Sequence, residues 1–165
     1  SAILAAQPIT PATPTITSSG SSVCEGVNVI LTSSSNSGNQ WYKDGNIIAG
    51  ATAATYSPLQ SGSYTVLVSN NASCTSSSAA EVVLIKPLPN AQISEGARVG
   101  MSLNNSLTLS AVSIQTGDLY QWYKDGVALV NENSSSLVVL SQGDYMLEIN
   151  RNGCLHTSPS TEVLP

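Results

Sequence analysis

Few residues of this chain have side chains suited to catalysis, and two of those are close neighbours. Cys154 and His156 lie two positions apart in a run that alternates like a β-strand, so their side chains are expected on one face. A thiol beside an imidazole is a pairing used in nucleophilic catalysis. A working nucleophile also needs an orienting third group and oxyanion donors, and no motif supplies them. We therefore predict that the chain is not an enzyme.

Candidate metal and cofactor ligands do not cluster along the sequence. The three cysteines and His156 lack the paired spacing of a zinc site, and the ten acidic residues are scattered singly rather than grouped in a calcium loop. Asp118 could meet Asp125 or Asp144 across one end of a sandwich, but these residues are interpreted as solvated turn residues. Glycine-rich phosphate loops are missing, and two small domains offer no cleft with the opposed carboxylates of a glycosidase. We predict no metal and no cofactor.

Charge and hydropathy narrow the range of partners. Ten acidic and five basic residues give a net charge of -5, which argues against nucleic acid and anionic membrane surfaces. No apolar run reaches the roughly 18 residues needed to cross a bilayer, so membrane insertion is not expected. The opening SAILAAQ lacks the basic region and the length of a signal peptide. We expect residues 1–9 to be a linker or a leftover from a neighbouring segment of a longer protein.

The hexapeptide Gln-Trp-Tyr-Lys-Asp-Gly occurs twice, at residues 40–45 and again 81 residues later at 121–126. Asp-Gly between two short alternating runs is a strong hairpin signal, and no segment shows a helical period. Six or seven short strands in each half, with a tryptophan on the third, predict an all-β chain of two tandem immunoglobulin-like antiparallel β-sandwiches. The prolines of KPLPN mark the boundary, which predicts domains at residues 10–87 and 88–165.

The repeated strings also carry a family resemblance. LTS...WYKDG...SGSYTV and LTL...WYKDG...QGDYML resemble immunoglobulin-like domains, and CEG...QWYKDG...GATAATY...SGSYTV...C resembles the tandem immunoglobulin-like repeats of large secreted and surface proteins of Bacteroidetes. The resemblance implies modules beside other domains, as adhesin stalks or as accessories of secreted polymer-degrading enzymes. Val66 and Leu147 stand where an antibody-type domain has the cysteine of its buried disulfide.

Strand alternation sorts the aromatic residues into core and surface. The residues predicted to be structural are the two tryptophans and the two tyrosines at the tyrosine-corner position, Trp41, Trp122, Tyr64 and Tyr145. The tyrosine after each tryptophan then faces outward, which predicts a possible binding surface of Tyr42, Leu67, Tyr123 and Met146. Such a surface could stack a sugar ring or meet a neighbouring module, or it could simply cover an exposed sheet face.

The cysteines predict one disulfide and one thiol. Cys24 precedes the second strand of the first sandwich and Cys74 follows the sixth, so both are expected toward one end and bonded to each other. Such a bond indicates an oxidising compartment. Cys154 is the repeat counterpart of Cys74, but Ser102 stands where a fourth cysteine would be. Cys154 is therefore predicted to be a free thiol, which either forms an intermolecular bridge, is reactive or has no role.

These observations predict a non-catalytic structural or adhesive module, a spacer or stalk segment of a larger bacterial protein that is secreted or lies on the cell surface. The expected partners are neighbouring domains of the same chain and a protein or polysaccharide surface. The alternative, which depends on the outward tyrosines, is a carbohydrate-binding accessory module of a secreted polysaccharide-degrading enzyme.

Overall fold

The structure is a computed structural model that describes residues 9–70, 74–101 and 106–165. All regular secondary structure in these residues is β-strand, and the chain divides into two compact units between Lys86 and Pro87. Within the same residues there is no helix with the length and apolar character of a membrane span. The prediction of an all-β chain is confirmed.

The first domain has nine short strands arranged in two sheets. Its strands are β1 (Ile16–Ser18), β2 (Ser22–Cys24), β3 (Leu31–Ser33), β4 (Asn39–Lys43), β5 (Asn46–Ile47), β6 (Thr55–Tyr56), β7 (Gly62–Ser69), β8 (Thr75–Ser77) and β9 (Glu81–Lys86). One sheet has the order β1-β3-β6, and the other has the order β2-β9-β7-β4-β5 with β8 also paired to β7. Every pairing is antiparallel except that of β2 with β9, which is parallel.

The second domain repeats this plan with eight strands. They are β10 (Arg98–Gly100), β11 (Leu107–Ser110), β12 (Leu119–Lys124), β13 (Val127–Ala128), β14 (Ser136–Val139), β15 (Gly143–Arg151), β16 (Cys154–Thr157) and β17 (Thr161–Leu164). The larger sheet has the order β10-β17-β15-β12-β13, with β10 parallel to β17 and with β16 paired to β15. The smaller sheet is β11-β14, extended by an isolated bridge between Ile93 and Ala111.

Each core is built around the tryptophan of the repeated hexapeptide. Trp41 and Trp122 are fully buried, and their indole nitrogens donate to the carbonyl oxygens of Ala53 and Ser134, each at 2.9 Å. Apolar side chains from both sheets pack on each ring. The positions of the missing antibody-type cysteine are filled by fully buried aliphatic residues, Val66 and Leu147. Dispersion and apolar burial therefore hold the sheets together there.

The corner tyrosines are buried at the start of the longest strand in each domain. The hydroxyl of Tyr64 donates to the carbonyl oxygen of Gln60 at 2.7 Å, and that of Tyr145 donates to Ser141 at 2.9 Å. These bonds fasten the loop before β7 or β15 to the core, as in a tyrosine corner. Burial, followed by the proximity of Tyr56 and Asp44, raises the pKa of Tyr64 to about 12.

A buried serine bridges the break in the last strand of each domain. Between β8 and β9, the hydroxyl of Ser78 accepts from the amide of Val66 at 3.0 Å, and between β16 and β17 the hydroxyl of Ser158 accepts from the amide of Leu147 at 2.9 Å. The amides of the two serines donate back to the carbonyl oxygens of the same partners. The buried amides of Val66 and Leu147 therefore both have an acceptor, although the strand beside them is interrupted.

Candidate functional site

The repeated hexapeptide begins with a glutamine that tightens the hairpin. The side-chain amide of Gln40 donates to the carbonyl oxygen of Ile48 at 2.7 Å, and that of Gln121 donates to Leu129 at 2.8 Å. Both carbonyls lie just beyond the short strand that follows the turn. The glutamine therefore holds the returning chain against β4 or β12.

The Asp-Gly pair makes the turn, and its aspartate also binds the start of the neighbouring strand, β7 or β15. Asp44 and Asp125 have left-handed φ angles of 50° and 49°, the conformation that a tight two-residue turn requires. The carboxylate of Asp44 accepts from the amide of Ser63 at 2.8 Å, and that of Asp125 accepts from Asp144 at 2.9 Å. The Ser63 amide and then the Lys43 ammonium lower the pKa of Asp44.

The lysine of the hexapeptide lies across a glycine on the neighbouring strand. A Cβ atom on Gly62 would lie 2.7 Å from Cε of Lys43, and a Cβ on Gly143 would lie 2.6 Å from Cε of Lys124. The aliphatic stem of each lysine thus fills the space that a side chain would need. The lysine and aspartate of the motif therefore have structural contacts in both copies.

Tyrosine is the one large side chain of the hexapeptide that is partly exposed and makes no hydrogen bond to another residue that the structure describes. Tyr42 and Tyr123 are half-buried on the outer face of the larger sheet in each domain. Neither hydroxyl makes a hydrogen bond to any other residue that the structure describes. The side chains beside these two rings therefore define the candidate functional site.

The surroundings of Tyr42 differ from the predicted patch. Its direct cross-strand neighbours are Thr65 on β7 and Ile47 on β5, and Ile47 is 62% exposed. Leu67 lies opposite Gln40 instead, two residues further along the strand. Tyr42 and Leu67 are therefore diagonal neighbours, and the direct apolar neighbour is one that the alternation did not single out.

The surroundings of Tyr123 are closer to the prediction. Met146 lies directly opposite it on β15, and Ala128 lies opposite it on β13. A thioether at this position is placed to touch the aromatic ring. The two tyrosines therefore share a position in the fold but not an identical set of neighbours.

Each outer face carries a single aromatic ring. The chain has two tryptophans and six tyrosines and no phenylalanine. Trp41, Tyr56 and Tyr64 belong to the first core or pack against it, and three further aromatic residues do the same in the second domain. One ring in each domain is a small area for stacking a flat ligand.

Asp118, interpreted from sequence as a solvated turn residue, is instead buried in an ion pair. Its carboxylate accepts from Nε and Nη2 of Arg151 at 2.7 and 2.8 Å and from the amide of Gln115 at 3.0 Å. The exposed fraction of its side chain is 0%. The Arg151 guanidinium lowers the pKa of Asp118, although burial opposes that shift. The first domain has Ser37 and Asn70 at the matching positions.

The predicted disulfide between Cys24 and Cys74 is wrong. Cys24 and Cys154 are the disulfide-bonded cysteines, and Cys74 is a half-buried residue outside that bond. The prediction that Cys154 is a free thiol is wrong for the same reason. Both predictions assumed that Cys24 and Cys74 lie at the same end of the sandwich.

Strand register explains why Cys24 cannot bond to Cys74. Cys24 lies opposite Lys86, the last residue of β9. Val83 of β9 pairs with Gly62, the first residue of β7, so Cys24 lies past the start of β7. Cys74 directly precedes Thr75, which pairs with Ser69 at the end of β7. The whole of β7 separates the two positions, more than about 20 Å at the usual rise per residue. A disulfide requires Cα atoms within about 7 Å.

The Cys154 and His156 pair does not form a nucleophilic site. The sulfur of Cys154 is fully buried and disulfide-bonded, so it offers no thiolate. His156 donates from Nδ1 to the carbonyl oxygen of Pro89 at 2.8 Å, which ties β16 to the first residues of the second domain. Across residues 9–70, 74–101 and 106–165, no three His, Cys, Asp or Glu side chains are grouped so as to hold a metal ion.

The strand order and a family comparison identify the first domain. A family model described as "Ig-like domain CHU_C associated" matches residues 11–87. Residues 11–87 are therefore similar to the Ig-like domains of the CHU_C-associated family. Domains of this family occur in surface and secreted proteins of Bacteroidetes. They are structural modules, and such folds are generally non-catalytic.

Several solved structures are similar to the chain at low identity. The N-terminal Ig1-2 module of the Drosophila receptor protein tyrosine phosphatase DLAR is 14% identical with a TM-score of 0.37, covering 93% of this chain and 98% of that one. The fibronectin(III)-like modules of Clostridium thermocellum CbhA are 11% identical with a TM-score of 0.38, covering 90% and 93%. Murine CEACAM1b is 18% identical with a TM-score of 0.36, covering 91% and 98%. No curated protein matched.

One surface feature that the sequence analysis missed lies in the second domain. Leu119, Asn150 and Leu155 are paired side by side across β12, β15 and β16, and they line a pocket of about 180 Å³. Both leucines are more than half exposed. The available signal was a leucine at or next to the start of two strands, β12 and β16. The register that aligns them across three strands was not evident from sequence.

Proposed function

We propose that this chain is a tension-bearing spacer, a pair of structural modules within a larger bacterial surface or secreted protein. The observation that carries the proposal is the parallel pairing of an early strand with the last strand in each domain. β2 pairs in parallel with β9, and β10 pairs in parallel with β17, over three residue pairs each.

Parallel terminal strands change how a domain responds to tension. In the reduced chain, a pull on the N-terminal side draws β2 toward its own start, whereas a pull on the C-terminal side draws β9 toward its own end. The hydrogen bonds between the strands lie across the strand direction, so they are loaded together in shear rather than opened one by one. Two backbone bonds flank the first pair, from Leu84 to Ser21 and from Glu25 to Lys86, each at 2.8 Å.

The repeated hexapeptide supports the same proposal. Glutamine, tryptophan, lysine and aspartate each have a structural contact in both copies, and the glycine completes the turn. A motif retained for the fold explains why the two domains share it while the side chains around the tyrosines differ. If both domains bound the same ligand, we would expect the same side chains around Tyr42 and Tyr123.

The alternative is a carbohydrate-binding accessory module. It is favoured by the half-exposed rings of Tyr42 and Tyr123, whose hydroxyls have no hydrogen-bond partner within the described residues and could bond to a sugar. A single ring in each domain speaks against strong retention, because stacking on aromatic faces would have to supply much of the affinity.

Retention on insoluble polysaccharide distinguishes the two functions. We expect the wild-type chain to pass through cellulose, chitin and xylan, and a Tyr42→Ser and Tyr123→Ser double variant to behave identically. A Gln40→Ala and Gln121→Ala double variant is the matched control, because it changes the motif position two residues before each tyrosine, on the same strand face, and leaves both rings in place. Clear wild-type retention that is lost only in the tyrosine variant would establish the accessory role instead.

A further inference from the structure

The outer edge of β14 is an open strand edge, and this sets the second domain apart from the first. In the smaller sheet β14 pairs only with β11, and no described strand lies beyond it. The amide of Ala111 donates to the carbonyl oxygen of Ser135. In the register of β11 with β14, this places the backbone groups of Leu137 and Val139 toward β11.

The alternation then directs the backbone groups of Ser136, Val138 and Leu140 away from β11 and toward solvent. The side chains of these residues are also exposed, 62% for Val138 and 71% for Leu140, whereas Leu137 and Val139 are buried in the core. The edge therefore presents unpaired donors and acceptors beside apolar side chains. That combination is a template for adding another strand.

In the first domain a proline ends the equivalent edge strand after two residues. β6 is only two residues long, and Pro58 stands 81 residues before Val139. In the register of β3 with β6, Pro58 falls opposite Val29 at the next hydrogen-bonded pair. Proline has no amide hydrogen to donate there, so the edge strand ends. Val139 keeps its amide, and β14 continues for four residues.

We propose that the edge of β14 pairs antiparallel with β14 of a second copy of this chain, about a two-fold axis at Val138. In this register Val138 lies opposite its own copy, Ser136 lies opposite Leu140, and all outward-directed backbone groups are paired by about six hydrogen bonds. The result joins two β11-β14 sheets into one continuous sheet.

The composition of the edge favours a second copy as the occupant. Residues 133–142, NSSSLVVLSQ, contain no charged residue, although the chain has a net charge of -5. Two copies can therefore approach along this edge without placing like charges opposite each other. On the neighbouring strand β11 the outer face carries Thr108, opposite Val138, and Ser110, opposite Ser136, which add no charge either.

Sedimentation of the full 165-residue chain tests the proposal. We use a Cys74→Ser background, which excludes covalent dimers through that thiol. The interface is small, so we expect a dimer with a dissociation constant in the micromolar range or weaker. Val138→Lys places two lysines opposite each other and should raise that constant at least about tenfold. Val82→Lys is the matched control, since Val82 is 63% exposed but lies on an interior strand.

A mixture of two variants tests the register itself. Val138→Lys and Val138→Glu should each be monomeric alone and should form a heterodimer when mixed, because residue 138 lies opposite its own copy. Val138→Pro should also prevent dimerisation, because it removes the Val138 amide that points away from β11. The fold should be retained, as measured by circular dichroism. A wild-type chain that stays monomeric up to about 1 mM, equal losses in the Val138→Lys and Val82→Lys variants, or a mixture that fails to associate would each overturn the proposal.

Discussion

Replacing Ser158 by alanine removes the hydroxyl that bridges the break between β16 and β17. That hydroxyl accepts from the amide of Leu147 at 2.9 Å, and both residues are buried, with 5% and 0% exposed. The first domain has the same arrangement at Ser78 and Val66. Alanine fits the space but leaves the Leu147 amide without an acceptor.

The expected loss follows from the cost of a buried donor without a partner. Such a group destabilises a protein by about 1–3 kcal/mol, and water cannot reach a fully buried amide. We therefore expect Ser158→Ala to lower the free energy of unfolding of the second domain by about 2 kcal/mol, which corresponds to a fall of roughly 8–16 °C in Tm for a domain of this size.

Urea unfolding and amide hydrogen exchange measure this effect. The Leu147 amide should exchange about 30-fold faster in the variant if 2 kcal/mol is lost from the opening reaction. Ser160→Ala is the matched control, because Ser160 is an exposed serine two residues along the same segment. The reasoning is refuted if Ser158→Ala costs no more than the control, that is, under about 0.5 kcal/mol.

Three further predictions concern protonation, cysteine and domain independence. Since burial raises the pKa of Tyr64 to about 12 from 10.0, the neutral phenol stabilises the folded first domain fully below pH 10, and that contribution is lost as the pH rises toward 12. Tm between pH 8 and 12 should fall more steeply in wild type than in Tyr64→Phe, and parallel profiles would contradict this. Thiol labelling of denatured, unreduced chain should add one label, on the Cys74 peptide; a label on Cys154 would refute the disulfide assignment. Residues 87–165 alone should unfold cooperatively under reducing conditions, and a disordered circular dichroism spectrum would show that the unit is not an independent folding domain.

Local patterns in the sequence predicted much of the fold. Asp-Gly between alternating runs located both hairpins, because left-handed φ angles at such turns are available to few residues. Alternation around the tryptophan distinguished core from surface, and the structure buries Trp41 and Trp122 while it leaves Tyr42 and Tyr123 outward. These inferences needed only neighbours along the chain.

Register between distant strands could not be predicted in the same way. The disulfide was assigned wrongly because nothing near Cys24 indicates that β2 runs beside the far end of β9. The neighbours of Tyr42 were misplaced by two residues for the same reason. The pairing of Asp118 with Arg151 joins residues 33 positions apart, and no local pattern connects them.

Pulling single molecules of the reduced chain from both ends tests most directly whether each domain is built to bear tension. Leu84→Pro removes the amide that donates to Ser21 between the parallel strands, whereas Ser78→Ala weakens the first domain away from them. We expect Leu84→Pro to lower the unfolding force of that domain markedly and Ser78→Ala to leave the force nearly unchanged despite its lower equilibrium stability. Equal reductions in both variants, or a wild-type domain that unfolds at the same force as Leu84→Pro, would contradict a spacer held by its parallel terminal strands.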